Sequence, residues 1–144
     1  MPSTTEVEPE LRETIADETA VAHLATSAED RPHAAPVWYR YDDGVVTVLT
    51  GGRKLRDIRS NPRVALSIQR DDEGIMEWMA AVRGTAAVTG DVEAVNEAAR
   101  EVYPKYIGDD PDSWDPLYRS ALSPDPNVAL VEVSVGSATV RDPR

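Results

Sequence analysis

The sequence predicts a β-rich α+β fold: six strands in a small antiparallel barrel, with short helices at its margins. Three observations lead there. Six apolar or alternating stretches of strand length are punctuated by short polar turns rich in Asp, Gly and Pro, the spacing of hairpins and not of βαβ crossovers. The helical patterns are short and lie between or outside those stretches. No repeat and no linker divides the 144 residues, so one domain over 1–144 with one core is expected.

Residues 1–7 are expected to be disordered. Residues 9–16 read as a helix, with Leu11 and Ile15 one turn apart on a common face. Residues 21–26 form the first strand, and the polar run from Ala28 to Pro32 closes a turn. Residues 33–41 form the second, along which Trp38 faces one side and Tyr39 and Tyr41 the other. Asp42-Asp43-Gly44 is a hairpin turn whose glycine tolerates a positive φ, and residues 45–50, nearly all apolar or β-branched, are the third strand. Gly51 and Gly52 lead into a helix over 53–61 that stops at Pro62. Residues 64–69 alternate with a period of two, as a half-buried strand does. Asp71 to Gly74 is a loop tip, followed by a long β segment over 76–89 interrupted at Gly84. Residues 93–106 are helical, with Val95, Ala98, Ala99 and Val102 on one stripe. A loop over 111–115 and a helical stretch over 114–122 lead to the last strand, 128–140, where Gly136 marks a bulge or crossing point.

The charge balance narrows the function. With 26 acidic and 15 basic residues the formal net charge is -11, which opposes binding to nucleic acid or to an anionic membrane. Cysteine is absent, which excludes disulfides, thiolate metal sites and cysteine nucleophiles. The first residues carry neither a basic segment nor an apolar run, so a soluble cytoplasmic protein is expected. Phe is absent too, Lys54 and Lys105 are the two lysines among the 15 bases, and the apolar volume comes largely from Ala and Val. This is the composition of a halophilic protein, whose self-repulsion is screened over a Debye length of about 3 Å at 1 M salt.

Against that background Arg53, Lys54, Arg56, Arg59 and Arg63 form a basic island within the eleven positions 53–63. A glycine turn leading into a basic helix start is an anion site in outline, with Arg supplying paired donors and Lys a point charge. The alternative is a solvated helix face paired with surplus carboxylates. The phosphate loop of nucleotide hydrolases and the three-glycine dinucleotide fingerprint are both missing. His23 and His33 have no metal-ligand spacing, so no metal site is expected; His23 is expected to pack within its strand, and His33, just after a turn, to be open to a ligand. No nucleophile elbow is present, and the pairs Asp42-Asp43 and Asp71-Asp72 belong to turns.

Taken together, Arg31-Pro32-His33-Ala34-Ala35-Pro36-Val37-Trp38-Tyr39, Thr50, Lys54-Leu55-Arg56-Asp57-Ile58 and Asn61-Pro62-Arg63-Val64-Ala65-Leu66 resemble, in order and spacing, the pyridoxamine 5'-phosphate oxidase-like superfamily. The likeness runs from about Val21 to Thr89 and more weakly to the last strand. It implies a six-stranded split β-barrel homodimer that binds FMN at the subunit interface and acts as a flavin-dependent oxidoreductase on a small molecule. By position, it implies that Lys54 and Arg56, with Arg53 beside them, hold the phosphate. Thr50 would offer a hydroxyl or backbone amide to the same group, and Pro36, Val37 and Trp38 would line the ring.

The deazaflavin coenzyme factor 420 is the alternative cofactor, because similar members use either one. Its longer anionic tail needs a longer basic groove, which Arg56, Arg59 and Arg63 form if they share a helix face. A flavin-binding module without turnover is a further alternative, since no catalytic residue stands out; Tyr39, Tyr41 and His33 are the candidate proton donors. Two departures from the family are plain. Asp57 stands where Asn is common, able either to orient Arg56 or to weaken the anion site, and no Arg-x-His pattern occurs in 133–144, so pyridoxamine oxidation is not expected.

The composition yields a first prediction. The melting temperature should rise steeply between about 0.1 M and molar potassium chloride as self-repulsion is screened. Equal stability at both ends overturns the halophilic reading.

Overall fold

The computed structural model describes residues 4–143. Seven strands form one antiparallel sheet: β1 (Ala22–Ala28), β2 (Arg31–Val37), β3 (Arg40–Asp42), β4 (Val45–Thr50), β5 (Arg63–Asp72), β6 (Ile75–Thr89) and β7 (Ala129–Arg141), in the order β2-β1-β5-β6-β7-β4-β3. The β-rich α+β class is as expected, but there are seven strands instead of six, and the sheet is not closed. The expected second strand divides at Trp38 and Tyr39. There the backbone N–H of Tyr39 leaves the ladder and donates to Tyr106 Oη at 3.2 Å. In the sheet order β2 has β1 as its one neighbour and β3 has β4, so the two edges of the sheet are strands only two residues apart in the chain. The sheet therefore curls until its edges come together at Trp38-Tyr39 without a ladder joining them.

Three hairpins follow from turn chemistry. Glu29-Asp30, Asp43-Gly44 and Glu73-Gly74 each place two successive residues at positive φ, from 45 to 85°, the mirror-image turn that matches strand twist. The first of these has no glycine and was not legible as such a turn.

The helices are α1 (Thr4–Ile15), α2 (Arg53–Ser60), α3 (Val92–Val102), α4 (Pro104–Ile107) and α5 (Pro116–Arg119), the last flanked by single 3-10 turns. Of the seven residues expected to be disordered, 1–3 lie outside the described residues, and 4–7 belong to α1. Val7, Leu11 and Ile15 are all buried, extending the predicted stripe by one turn toward the N-terminus. Pro104 divides the helix expected over 93–106, because it has no backbone N–H to donate to a carbonyl of the preceding turn. Asp91 caps α3, its carboxylate accepting from the Ala94 N–H at 3.0 Å.

The main core lies on the inner face of the sheet, where Leu24, Tyr39, Val46, Val48, Leu66, Ile68, Trp78 and Val82 meet α1. A second cluster joins Ala99, Val102, Tyr103, Trp114 and Ala121 under α3, α4 and α5, with Trp38 and Leu49 packed against it. Between β6 and β7 the register shifts, Arg83 pairing with Ser137 and Gly84 with Val135, so Gly136 is the extra residue of a bulge. Gly84 does not interrupt β6. It is the residue across from the bulge, and a Cβ there would collide with the Ser134 carbonyl oxygen and lie 2.8 Å from Val133 Cγ1.

This geometry predicts opposite outcomes at the two glycines. Gly84→Ala should cost about 1–3 kcal/mol in urea unfolding, because backbone must move to admit a methyl group. Gly136→Ala, whose new Cβ comes no nearer than 3.6 Å to Arg83 O, should stay within about 0.5 kcal/mol. Equal effects would contradict the bulge.

Candidate functional site

At the seam between the sheet edges, Trp38 turns away from the main core and meets a ring of tyrosines. Its indole stacks on Tyr106 (centroids 4.7 Å apart, planes 5° apart) and on Tyr118 (4.6 Å, 21°), and meets the edge of Tyr103 at 5.9 Å. Offset and edge-on contacts of this kind add about 0.5–1.5 kcal/mol per pair beyond area burial. The Trp114 indole N–H holds the far side of the cluster by donating to Gly108 O at 2.8 Å. Burial pushes the Tyr103 and Tyr106 phenols up to about 12, so both keep their protons at neutral pH.

The result is an apolar cavity of about 270 Å³ lined by Pro36, Val37, Trp38, Thr50, Tyr103 and Tyr118 among others. Four of the seven residues singled out from the sequence, Pro36, Val37, Trp38 and Thr50, thus border one space. Thr50 ends β4 and is buried. Three residues later Arg53 opens α2, whose N-terminus has Gly52 at φ 67° and no side chain capping it. The first-turn N–H groups there have no side-chain acceptor.

The basic residues stand elsewhere. Arg53 and Arg56, with Arg31 and Ser60, line a second cavity of about 580 Å³ that also borders Glu29 and Asp57. Lys54 is half-buried and lines neither of these two cavities. Asp57 is buried and accepts a hydrogen bond from the Thr26 hydroxyl at 3.0 Å, which ties α2 to β1. Its ion-pair partner is Arg53, at 3.6 Å, and not Arg56 as considered from the sequence. The helix ends at Ser60, so Arg63 begins β5 and faces a third cavity on the outer side of the sheet. Arg56, Arg59 and Arg63 therefore do not share a helix face.

The candidate proton donors are also rearranged. Tyr39 is fully buried in the main core, its hydroxyl donating to Ile15 O at 2.6 Å, and Tyr41 donates to Glu8 at 3.2 Å. Neither lines the aromatic cavity. His33 is half-buried, paired in register with Thr26, and its Nδ1 is buried with no hydrogen-bond partner among the described residues. His23, expected to be packed, is exposed on the outer face. Among the described residues no group of three or more His, Asp or Glu side chains is placed to hold a metal ion. The residues that sequence reasoning missed are Tyr103, Tyr106, Tyr118 and Lys105; they sit on α4 and α5 or, for Tyr103, at the junction of α3 and α4, more than sixty positions from Trp38, and no local spacing connects them to it.

The Thr26–Asp57 tether can be tested. Thr26→Val, which leaves a buried carboxylate without its donor, should cost about 1–3 kcal/mol in urea unfolding. Asp57→Asn keeps an acceptor and loses only the pair with the exposed Arg53, so it should cost less than about 1 kcal/mol. The reverse order would show that the ion pair, not the hydrogen bond, holds α2.

The chain matches the family model described as pyridoxamine 5'-phosphate oxidase over residues 7–140. No match was found among curated proteins. Among solved structures it is similar to a conserved hypothetical protein from Mycobacterium tuberculosis, with a TM-score of 0.75 and 22% identity over 94% of this chain and 84% of the other. A FAD-binding protein from Mesorhizobium loti gives a TM-score of 0.66 and 16% identity, covering 92% of this chain and 90% of that one. An F420 reductase gives 0.64 and 20%, covering 88% and 94%. At these identities the three structures establish a shared fold. The family match spans α1 to β7, and the chain belongs to the pyridoxamine 5'-phosphate oxidase family.

Proposed function

We propose that the chain binds a flavin-type cofactor, FMN by first choice, between two copies of itself, and that it is a flavin-dependent oxidoreductase acting on a small molecule. One observation carries this reading. The strand that borders the aromatic cavity at Thr50 runs within two residues into an uncapped helix start whose first residues are Arg53 and Lys54. An apolar aromatic wall next to a basic helix N-terminus suits a molecule with a planar ring at one end and a phosphate at the other.

The residues present fit that group. In this reading Pro36, Val37 and Trp38 line the ring, while Thr50 and the basic residues Arg53, Lys54 and Arg56 of the adjoining helix hold the phosphate. Because β2 is an edge strand, one side of its backbone offers N–H and C=O groups to the polar rim of a ring. The family match and the names of the similar structures, one FAD-binding and one an F420 reductase, support a flavin-type group. When bound, a flavin supplies the two-electron redox chemistry. The protein's part is to orient the ring, hold the phosphate and exclude water. Pyridoxamine oxidation is not proposed, since residues 133–144 lack the Arg-x-His pattern.

The outer sheet face supports pairing of two copies. Its rows Pro36, His23, Ser67, Ala81, Thr139 and Ala34, Ala25, Ala65, Arg83, Ser137 run across β2, β1, β5, β6 and β7 without one carboxylate. In a chain with 26 acidic residues, a small-residue face free of them suits close approach of a second surface. The cavity of Arg31, Arg53 and Arg56 favours a second reading, the deazaflavin coenzyme factor 420, whose longer anionic tail needs more cationic surface.

The absorption spectrum and mass of the purified protein test this function. A dimer absorbing in the blue supports FMN, and absorption at shorter wavelength the deazaflavin. Lys54→Ala should weaken FMN binding by about tenfold or more. A colourless protein that takes up neither cofactor overturns the reading, and bound flavin that never turns over with reductant and acceptor reduces it to a binding module.

A further inference from the structure

We propose that Lys105 is a charged positioning residue for the aromatic wall: its buried ammonium, seated on Tyr39 and Tyr106, holds Tyr106 against Trp38 and makes the shape of the cavity depend on pH. Lys105 Nζ lies 3.9 Å from the centroid of the Tyr39 ring and 5.1 Å from that of Tyr106. It is buried and makes no hydrogen bond among the described residues, so ring faces are its partners there. Tyr106 is fixed at its other end. Its hydroxyl donates to Ala20 O at 2.7 Å and accepts from the Tyr39 N–H at 3.2 Å. Its ring stacks on Trp38, and Trp38 stacks on Tyr118, both of which border the cavity. The ammonium is therefore two contacts from the space where a ligand would sit.

The groups around Lys105 confine titration to the amine itself. Burial lowers it from 10.5 to about 8, against the pull of Asp17 and Glu18 from the segment between α1 and β1. Glu18 is shared with Arg70 at 2.8 Å. Tyr106 is raised to about 12 and Tyr39 is raised further by its burial, so neither phenol ionises near neutrality. As pH rises through about 8 the ammonium loses its proton and its attraction to the two rings. The global fold responds in the opposite sense. Between about 8 and 10.5 the unfolded chain binds more protons at this lysine than the folded one, so the lysine's contribution to stability grows with pH. Loss of wall order without loss of stability separates a positioning role from a merely structural one.

Near-ultraviolet circular dichroism of the ligand-free protein tests this between pH 6.5 and 9.5, alongside melting temperature and FMN titration. The aromatic signal should change with a one-proton midpoint near 8, with no parallel fall in melting temperature. Lys105→Arg should keep the low-pH signal throughout and Lys105→Met the high-pH signal throughout. Because the ligand arm rests on the flavin reading, it is separable: wild-type FMN affinity should fall about fivefold from pH 7 to 9.5, within the scale of a buried cation–π contact. A wild-type aromatic signal flat across the range, the same midpoint in Lys105→Met, or a melting temperature falling with the signal overturns the proposal. Should the variants fail to fold, the wild-type titration alone decides. A titrating aromatic signal in a protein that binds neither FMN nor the deazaflavin refutes the flavin reading and leaves the role of Lys105 standing.

Discussion

The crossing at Trp38 and Tyr39 is the constraint on which the rest depends. Here the chain leaves one edge of the sheet and, two residues later, begins the other. Had these residues continued a ladder, the sheet could have closed and the seam would have been filled by backbone. Instead the Tyr39 N–H goes to the Tyr106 hydroxyl and the Tyr39 hydroxyl to Ile15 O, so one residue ties α1, α4 and the sheet edge together. Each of these bonds has a buried or half-buried donor, which is where an unmade bond costs most. With Tyr39 committed to the core, alternation sends Trp38 to the other side, and the candidate cavity forms around it.

Charge is arranged in the same economical way. A chain with a net charge of -11 would be expected to surround its arginines with carboxylates. Asp57 shows how a single acid can be used differently: buried, tied to Thr26, and drawing Arg53 along the start of α2, it fastens the basic helix to β1 while Arg56 faces the neighbouring cavity. The carboxylate that looked out of place beside an anion site is the one that positions the helix. The outer sheet face, by contrast, keeps its two central rows free of acids altogether.

Local patterns in the sequence were informative wherever the determining interaction is local. Hairpin turns at Asp43-Gly44 and Glu73-Gly74, the bulge at Gly136, the stop of α2 before Pro62 and the stripe on α3 all follow from φ/ψ preferences or side-chain period. Other features were misread where the deciding contact is not local. Val7 belongs to the stripe of Leu11 and Ile15, but Pro9 hid the earlier start; Pro104 was absorbed into one long helix; and residues 33–41 looked like one strand because nothing local announces that Tyr39 will find Tyr106. At the site, motif positions located Pro36, Val37, Trp38 and Thr50, which do share a cavity, whereas a helical face assigned to Arg63 assumed a helix that Pro62 had already ended.

By itself, then, the sequence determined the β-rich class, the positions of turns and bulge, the basic island and its resemblance to a flavoprotein family, because each depends on residues close together in the chain. Only the tertiary structure decided that the sheet stays open at Trp38-Tyr39, that Asp57 is buried against Thr26, that Tyr103, Tyr106 and Tyr118 close around Trp38, and that Lys105 sits on the Tyr39 ring. Those contacts join residues tens of positions apart, and they form because buried rings, an ammonium and a backbone N–H must find partners inside the fold, a requirement that no short window of sequence displays.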